Sequence, residues 1–197
     1  MKILTGSEPF KSIIKGSVFV SEAFSLENQN QVKQIIKSQK QKYSDSTHVC
    51  HAFIFGKNAE IMGMSDDGEP SGTAGRPMLD VLKGRNVTNI LVTVTRWFGG
   101  TLLGTGGLVH AYGDGVKGVL ENCVFEELIE KRAFSFVTDY QNYQIVKKIM
   151  ENWTFYDLKE DFGETIKVEG LIAQSDFDDF KEKIFDKTNG KTSVEKK

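Results

Sequence analysis

Two glycine-rich segments hold most of the residues whose types and spacing could do chemistry. They are Ser65-Asp66-Asp67-Gly68-Glu69-Pro70-Ser71-Gly72-Thr73-Ala74-Gly75-Arg76-Pro77 and Arg96-Trp97-Phe98-Gly99-Gly100-Thr101-Leu102-Leu103-Gly104-Thr105-Gly106-Gly107-Leu108. Each follows a predicted strand and runs into a predicted helix. Gly72, Thr73, Gly75, Gly99, Gly100, Gly104, Gly106 and Gly107 leave main-chain amides little obstructed by side chains, and a helix N-terminus adds unpaired N–H donors and partial positive charge. Arg76, Arg96 and His110, with Arg85 nearby, are cations that could complete a phosphate contact. The pattern therefore points to an anion or nucleic-acid site, and the same glycines equally suit tight turns and close helix–sheet packing. The acidic trio Asp66, Asp67 and Glu69 could hold Mg²⁺ or act as acid and base; in a turn, such residues more often cap backbone or pair with an arginine.

Neither segment is a nucleotide-binding loop. No Gly-Lys-Ser/Thr stands at the P-loop spacing, and Gly99, Gly104 and Gly106 do not make the dinucleotide fingerprint. His48-Val49-Cys50-His51 offers soft ligands, but on a strand His48 and Cys50 face one side and His51 the other. With no second cluster, no metal and no cofactor are expected, and no partner marks Cys50 as a nucleophile. Trp97 and Phe98 read as core before they read as stacking platforms. Gly113, Gly115 and Gly118 inside a helix suggest a helix pressed against its neighbour.

The elements that would position these residues are legible in part. Ser17–Phe24 reads as a strand, and Val32, Ile35, Ile36 and Tyr43 form one face of a helix. Cys50–Phe55 and Glu60–Ser65 make a hairpin turned by Gly56-Lys57-Asn58; a short helix follows Gly75, a strand covers 90–95, and a helix runs from about Gly107 to Asn122. Beyond it, Phe134–Val137, the stripe Tyr143, Val146, Ile149, Met150 and Trp153, then Phe155–Leu158, Thr165–Ala173 and a helix capped by Ser175 give β-α-β-β-α, with a possible short strand after Gly190. Of 19 glycines, 16 precede residue 125, as do all 3 prolines, which divides the chain into domains 1–122 and 126–197.

At 39% hydrophobic and 26% charged residues the chain is an ordinary globular protein, with no apolar run long enough to span a membrane. Two cysteines and no secretory leader point to a reducing cytoplasm. The net charge of −2 argues against coating nucleic acid by bulk charge. Residues 1–125 carry 13 Lys and Arg against 11 Asp and Glu, and the remainder 12 against 16, so a polyanion would meet the first part.

The chain closely resembles the YigZ/IMPACT family. The likeness rests on Asp66 to Gly75, on Val94-Thr95-Arg96-Trp97-Phe98-Gly99-Gly100, on Leu103, Gly104, Gly106, Gly107, Leu108, Val109, Ala111 and Tyr112, and on His48, Cys50 and Ala52. It covers about Ser12 to Leu120. One departure is His110, where the family usually has arginine. The resemblance implies an α+β protein of two domains. The first would be like the second domain of a small-subunit ribosomal protein and domain IV of elongation factor G. The second would be ferredoxin-like, βαββα(β), as in domain V of that factor. Eukaryotic relatives regulate translation initiation through a further N-terminal partner-binding domain that this sequence lacks, so that role is not carried over.

The leading expectation is a non-catalytic, translation-linked regulator that binds RNA or the ribosome through the glycine-rich face. One alternative is an enzyme or binder acting on a small phosphorylated ligand or peptide. The other is a protein-interaction module with a protein partner on the second domain.

Overall fold

The structure is a computed structural model describing residues 1–197. It divides into two compact units, Met1–Leu128 and Ile129–Lys197. The fold is α+β throughout, and no helix is long and apolar enough to cross a membrane.

The first unit runs β1 (Lys2–Ser7), β2 (Phe10–Ile14), β3 (Ser17–Ser25), α1 (Gln31–Lys42), β4 (His48–Phe55), β5 (Ile61–Ser65), α2 (Gly75–Gly84), β6 (Ile90–Trp97), α3 (Gly104–Glu121) and β7 (Cys123–Glu127). Five strands form an antiparallel sheet in the order β2-β3-β6-β4-β5. The central strand β6 is buried on both faces, so it reads as an almost unbroken apolar and threonine run. Ile90, Val92 and Val94 join Cys50, Ala52 and Ile54 of β4 in a core with α2 and α3, while Leu91 packs with Leu26 and Val32 on the opposite face, with α1. Gly115 and Gly118 let α3 lie close to the sheet. A Cβ there would come within 2.7 Å of the Ser21 hydroxyl and 2.5 Å of the Phe10 ring, whereas Gly113 has ordinary spacing.

Two features depart from the reading of the sequence. The stretch 123–127, across which the domains 1–122 and 126–197 were divided, is β7, and it pairs with β1 from Lys2↔Glu127 to Ser7↔Cys123. The first unit therefore continues to Leu128. Neither β1 nor β2 was expected. Their residues are mixed and short-range signals are weak, and the partner of β1 lies more than a hundred residues away.

The second unit runs β8 (Lys131–Thr138), α4 (Tyr140–Met150), β9 (Phe155–Phe162), β10 (Ile166–Ala173), α5 (Phe177–Lys187) and β11 (Glu195–Lys196). Its strand order β11-β8-β10-β9 is the ferredoxin-like split βαβ arrangement. Phe180 of α5 anchors the core, edge-on to Phe134, Trp153 and Phe155 at 5.1–5.5 Å. Ser175 does not cap α5: the cap position is Asp176, and the Ser175 hydroxyl donates to the Asp176 carboxylate at 2.7 Å. Asp178 and Asp179 lie in the first turn of α5, where the helix end favours negative charge.

Candidate functional site

The loop between β5 and α2 folds back on itself. Asp66 Oδ2 accepts the Gly72 N–H at 2.9 Å, and Oδ1 accepts those of Ala74 at 3.0 Å and Gly75 at 2.8 Å. The Thr73 N–H and hydroxyl both donate to the Pro70 carbonyl, at 3.0 and 2.6 Å. The amides from Gly72 to Gly75 are thus consumed internally, and the anion site expected at this junction is not there. A carboxylate six to nine residues upstream supplies the negative charge that the helix end favours. Arg76 is exposed and pairs with Asp80, its Nε 3.0 Å from both oxygens.

Burial pushes the Asp66 carboxyl up, but the bonds from Gly72, Gly75 and Ala74 outweigh it and hold the group below its ordinary value. A depressed native pKa gives stability that is full above the ordinary carboxylate value, about pH 4, and is lost as pH falls through the native one. Asp66→Asn should cost about 1–2 kcal/mol at neutral pH. It should also flatten the fall in urea midpoint between neutral and strongly acidic solution; an unchanged slope would contradict the assignment.

Asp67 (φ +44°) turns the same loop onto β4. Its Oδ2 accepts the Val49 N–H at 2.8 Å, Lys40 pairs with Oδ1, and its carbonyl lies 2.8 Å from His48 Nδ1. Glu69 is buried. Its Oε1 accepts from Arg96 Nη1 at 2.7 Å and from the Tyr112 hydroxyl at 2.6 Å, with His48 Nε2 3.9 Å away. Arg96 Nη2 donates to Ser17 Oγ at 3.2 Å, and its guanidinium lies between the rings of Phe19 and Phe98, 5.5 and 5.7 Å from their centroids. Arg96 is therefore no surface cation. It is 5% exposed and neutralised by Glu69, and its Nε has no partner.

Cys50 and His48 do share a face. The Cys50 thiol donates to the Asp66 carbonyl at 3.0 Å. Burial, with the charges of Glu69, Asp67 and Asp66, pushes that thiol up to about 12, so little thiolate is available. Burial also drives the Tyr112 hydroxyl far above its ordinary value. His51 lies on the other face, where burial lowers its pKa.

The two glycine segments meet around one open cleft of about 480 Å³. From the first segment it is Gly68, Glu69 and Pro70 that line it, not Gly72 to Arg76. The second contributes Arg96, Phe98, Leu102, Leu103, Gly104, Thr105 and Leu108, and Thr47 and His48 complete the wall. Phe98 is 48% and Leu102 83% exposed, so Phe98 is a rim residue, whereas Trp97 packs edge-on against Tyr43. At the start of α3, which Leu103 caps, no acceptor outside the helix takes the N–H groups of Thr105 or Gly106, and the space beside Gly104 and Gly106 is open. Gly99 is different: its N–H donates to Ser17 Oγ at 3.2 Å, and its backbone packs on Gly16. His110 is exposed on α3 and does not line the cleft.

The sequence reading did not single out Ser17, Leu102 or Tyr112 as site residues. Tyr112 carried one usable signal, a tyrosine at an inward helical position with Leu108, since a buried phenol needs an acceptor.

Comparison with known proteins agrees over nearly the whole length. The family model described as the Impact N-terminal domain matches residues 15–120. A Haemophilus influenzae protein named as an IMPACT family member is 33% identical over 188 residues, covering 94% of this chain and 91% of that one. The IMPACT family member YigZ of Escherichia coli is 30% identical over 179 residues, 90% of this chain and 88% of the relative. A crystal structure of a hypothetical protein superposes with a TM-score of 0.68 at 28% identity, covering 98% and 95% of the two chains. With the family model matching residues 15–120 and relatives at 30–33% identity covering 90–94% of its length, the chain belongs to the IMPACT family.

Proposed function

We propose that this protein is a non-catalytic, translation-linked regulator that works by binding, and that the glycine-rich face of its first unit is where it meets the ribosome. The observation that carries the reading is the division of labour within the site. The groups that could do acid–base or nucleophilic work are engaged with one another: Glu69 with Arg96 and Tyr112, Cys50 and His48 with the Asp66–Asp67 backbone. The groups that remain available, the first amides of α3 and the rim of Phe98 and Leu102, suit recognition. The link to translation is supported by family membership and by the ferredoxin-like order of the second unit, which matches what the family's resemblance to elongation-factor domains implies. A bare RNA is the second reading. It is favoured less, because Arg96 is buried and paired and no lysine lines the cleft.

The test is co-sedimentation with ribosomes and gel shift with structured RNA, each over a salt series. Ribosome association is expected, and Phe98→Ala, which strips an exposed ring, should weaken it. Absence of association with either at low salt would end this reading.

A further inference from the structure

Accepting that the cleft is a binding site rather than a catalytic one, we propose that its ligand is the free C-terminal carboxylate of a peptide chain whose last side chain is apolar. Three observations on one cleft lead there.

The first is the charge the cleft can hold. Glu69 and Arg96 are joined at 2.7 Å and cancel, and no lysine lines the walls. What is left over is the partial positive charge at the start of α3, with its unused amides, and the Nε of Arg96. The Arg96 side chain is 5% exposed and lines the same cleft, and its Nε, buried just beneath the surface, has no acceptor, so a buried donor is left unsatisfied. This suits one negative charge. A phosphate dianion would bring two charges toward the Glu69 carboxylate, with only a neutralised arginine to offset them.

The second is access. Gly104 has φ +73°, and a Cβ at Gly104 or at Gly106 would meet nothing within 4 Å. No side chain at either position stands in the way of a carboxylate approaching these amides. Capture of a chain terminus in such a backbone concavity is a recurring mode of peptide recognition.

The third is the apolar wall. Pro70, Phe98, Leu102, Leu103 and Leu108 surround the amides, and Leu102 is 83% exposed although it is large and apolar. The volume of about 480 Å³ accommodates a terminal residue with its side chain and the backbone before it. A nucleotide would use the amides but would leave the leucines against a polar sugar.

The experiment is titration of the full chain, followed by amide chemical shifts, with acetyl-Gly-Gly-Leu as the free acid and as the C-terminal amide. The same peptide ending in Asp, inorganic phosphate and adenosine monophosphate serve as further arms. The free acid ending in Leu is expected to shift Thr105 and Gly106, and the amide to bind about tenfold more weakly or worse, the loss of one charge-assisted contact. Gly106→Asp places a carboxylate on the same amides, so it should abolish peptide binding while the unfolding midpoint holds or rises. Leu102→Ser should weaken the Leu peptide more than the Asp peptide. Equal binding of acid and amide, no binding of either, or saturation by phosphate or the nucleotide in preference to the peptide would overturn the proposal.

The two functional readings fail separately. Peptide binding without ribosome association refutes the ribosome and keeps the terminus site. Ribosome association without selective binding of the free-acid peptide refutes the terminus site and keeps the ribosome.

Discussion

Glu69→Ala should lower stability by about 3–5 kcal/mol, the largest effect expected of any single substitution in the first unit. The side chain is 3% exposed and its Oε1 receives both the Arg96 guanidinium and the Tyr112 hydroxyl. Removing it strands a buried positive charge between Phe19 and Phe98 and leaves the phenol without an acceptor. The cost comes from the groups left behind rather than from the strength of the pair. It follows that the double variant Glu69→Leu with Arg96→Met should recover much of the loss. The exposed pair Arg76–Asp80 is also in contact, at 3.0 Å, but sits in water, so Arg76→Ala should cost well under about 1 kcal/mol. Urea unfolding of the four proteins tests this. A Glu69→Ala cost no greater than that of Arg76→Ala would mean the buried pair is not formed.

Three glycines of the second segment should answer differently to alanine. A Cβ on Gly99 would stand 1.9 Å from the Gly16 carbonyl carbon, 2.1 Å from its oxygen and 2.2 Å from the Ser17 nitrogen. All three are backbone atoms of the turn between β2 and β3, so no side chain can swing aside and the turn must move. Gly99→Ala should therefore cost about 3 kcal/mol, at the upper end of overpacking. At Gly100 nothing lies within 4 Å but φ is +85°, so alanine there should cost about 1 kcal/mol for the backbone alone. Gly106 has open space and helical backbone, and alanine should stabilise by about 0.5–1 kcal/mol. Thermal unfolding of the three variants should rank them in that order. A destabilised Gly106→Ala, or a harmless Gly99→Ala, would overturn the packing assignment.

Much of the architecture was legible beforehand because it rests on local periodicity. The stripe Tyr143, Val146, Ile149 and Met150 became the buried face of α4, and Gly115 and Gly118 did mark a helix pressed against its sheet. What escaped depends on partners far apart in the chain. Residues 123–127 have no strong pattern of their own and become a strand only because β1 is there to pair with. At the site, several residues have roles that differ from those read in the sequence. Asp66, Glu69 and Arg96 were identified, yet Asp66 consumes the amides that had been assigned to an anion, and Glu69 buries the arginine that was to reach one. Residue type states which charges and donors a segment carries, since that is covalent chemistry. Whether a donor faces solvent or is already satisfied depends on which acceptor the fold brings within hydrogen-bonding distance, and Asp66, Ser17 and Tyr112 reach their partners only once the strands and helices have packed.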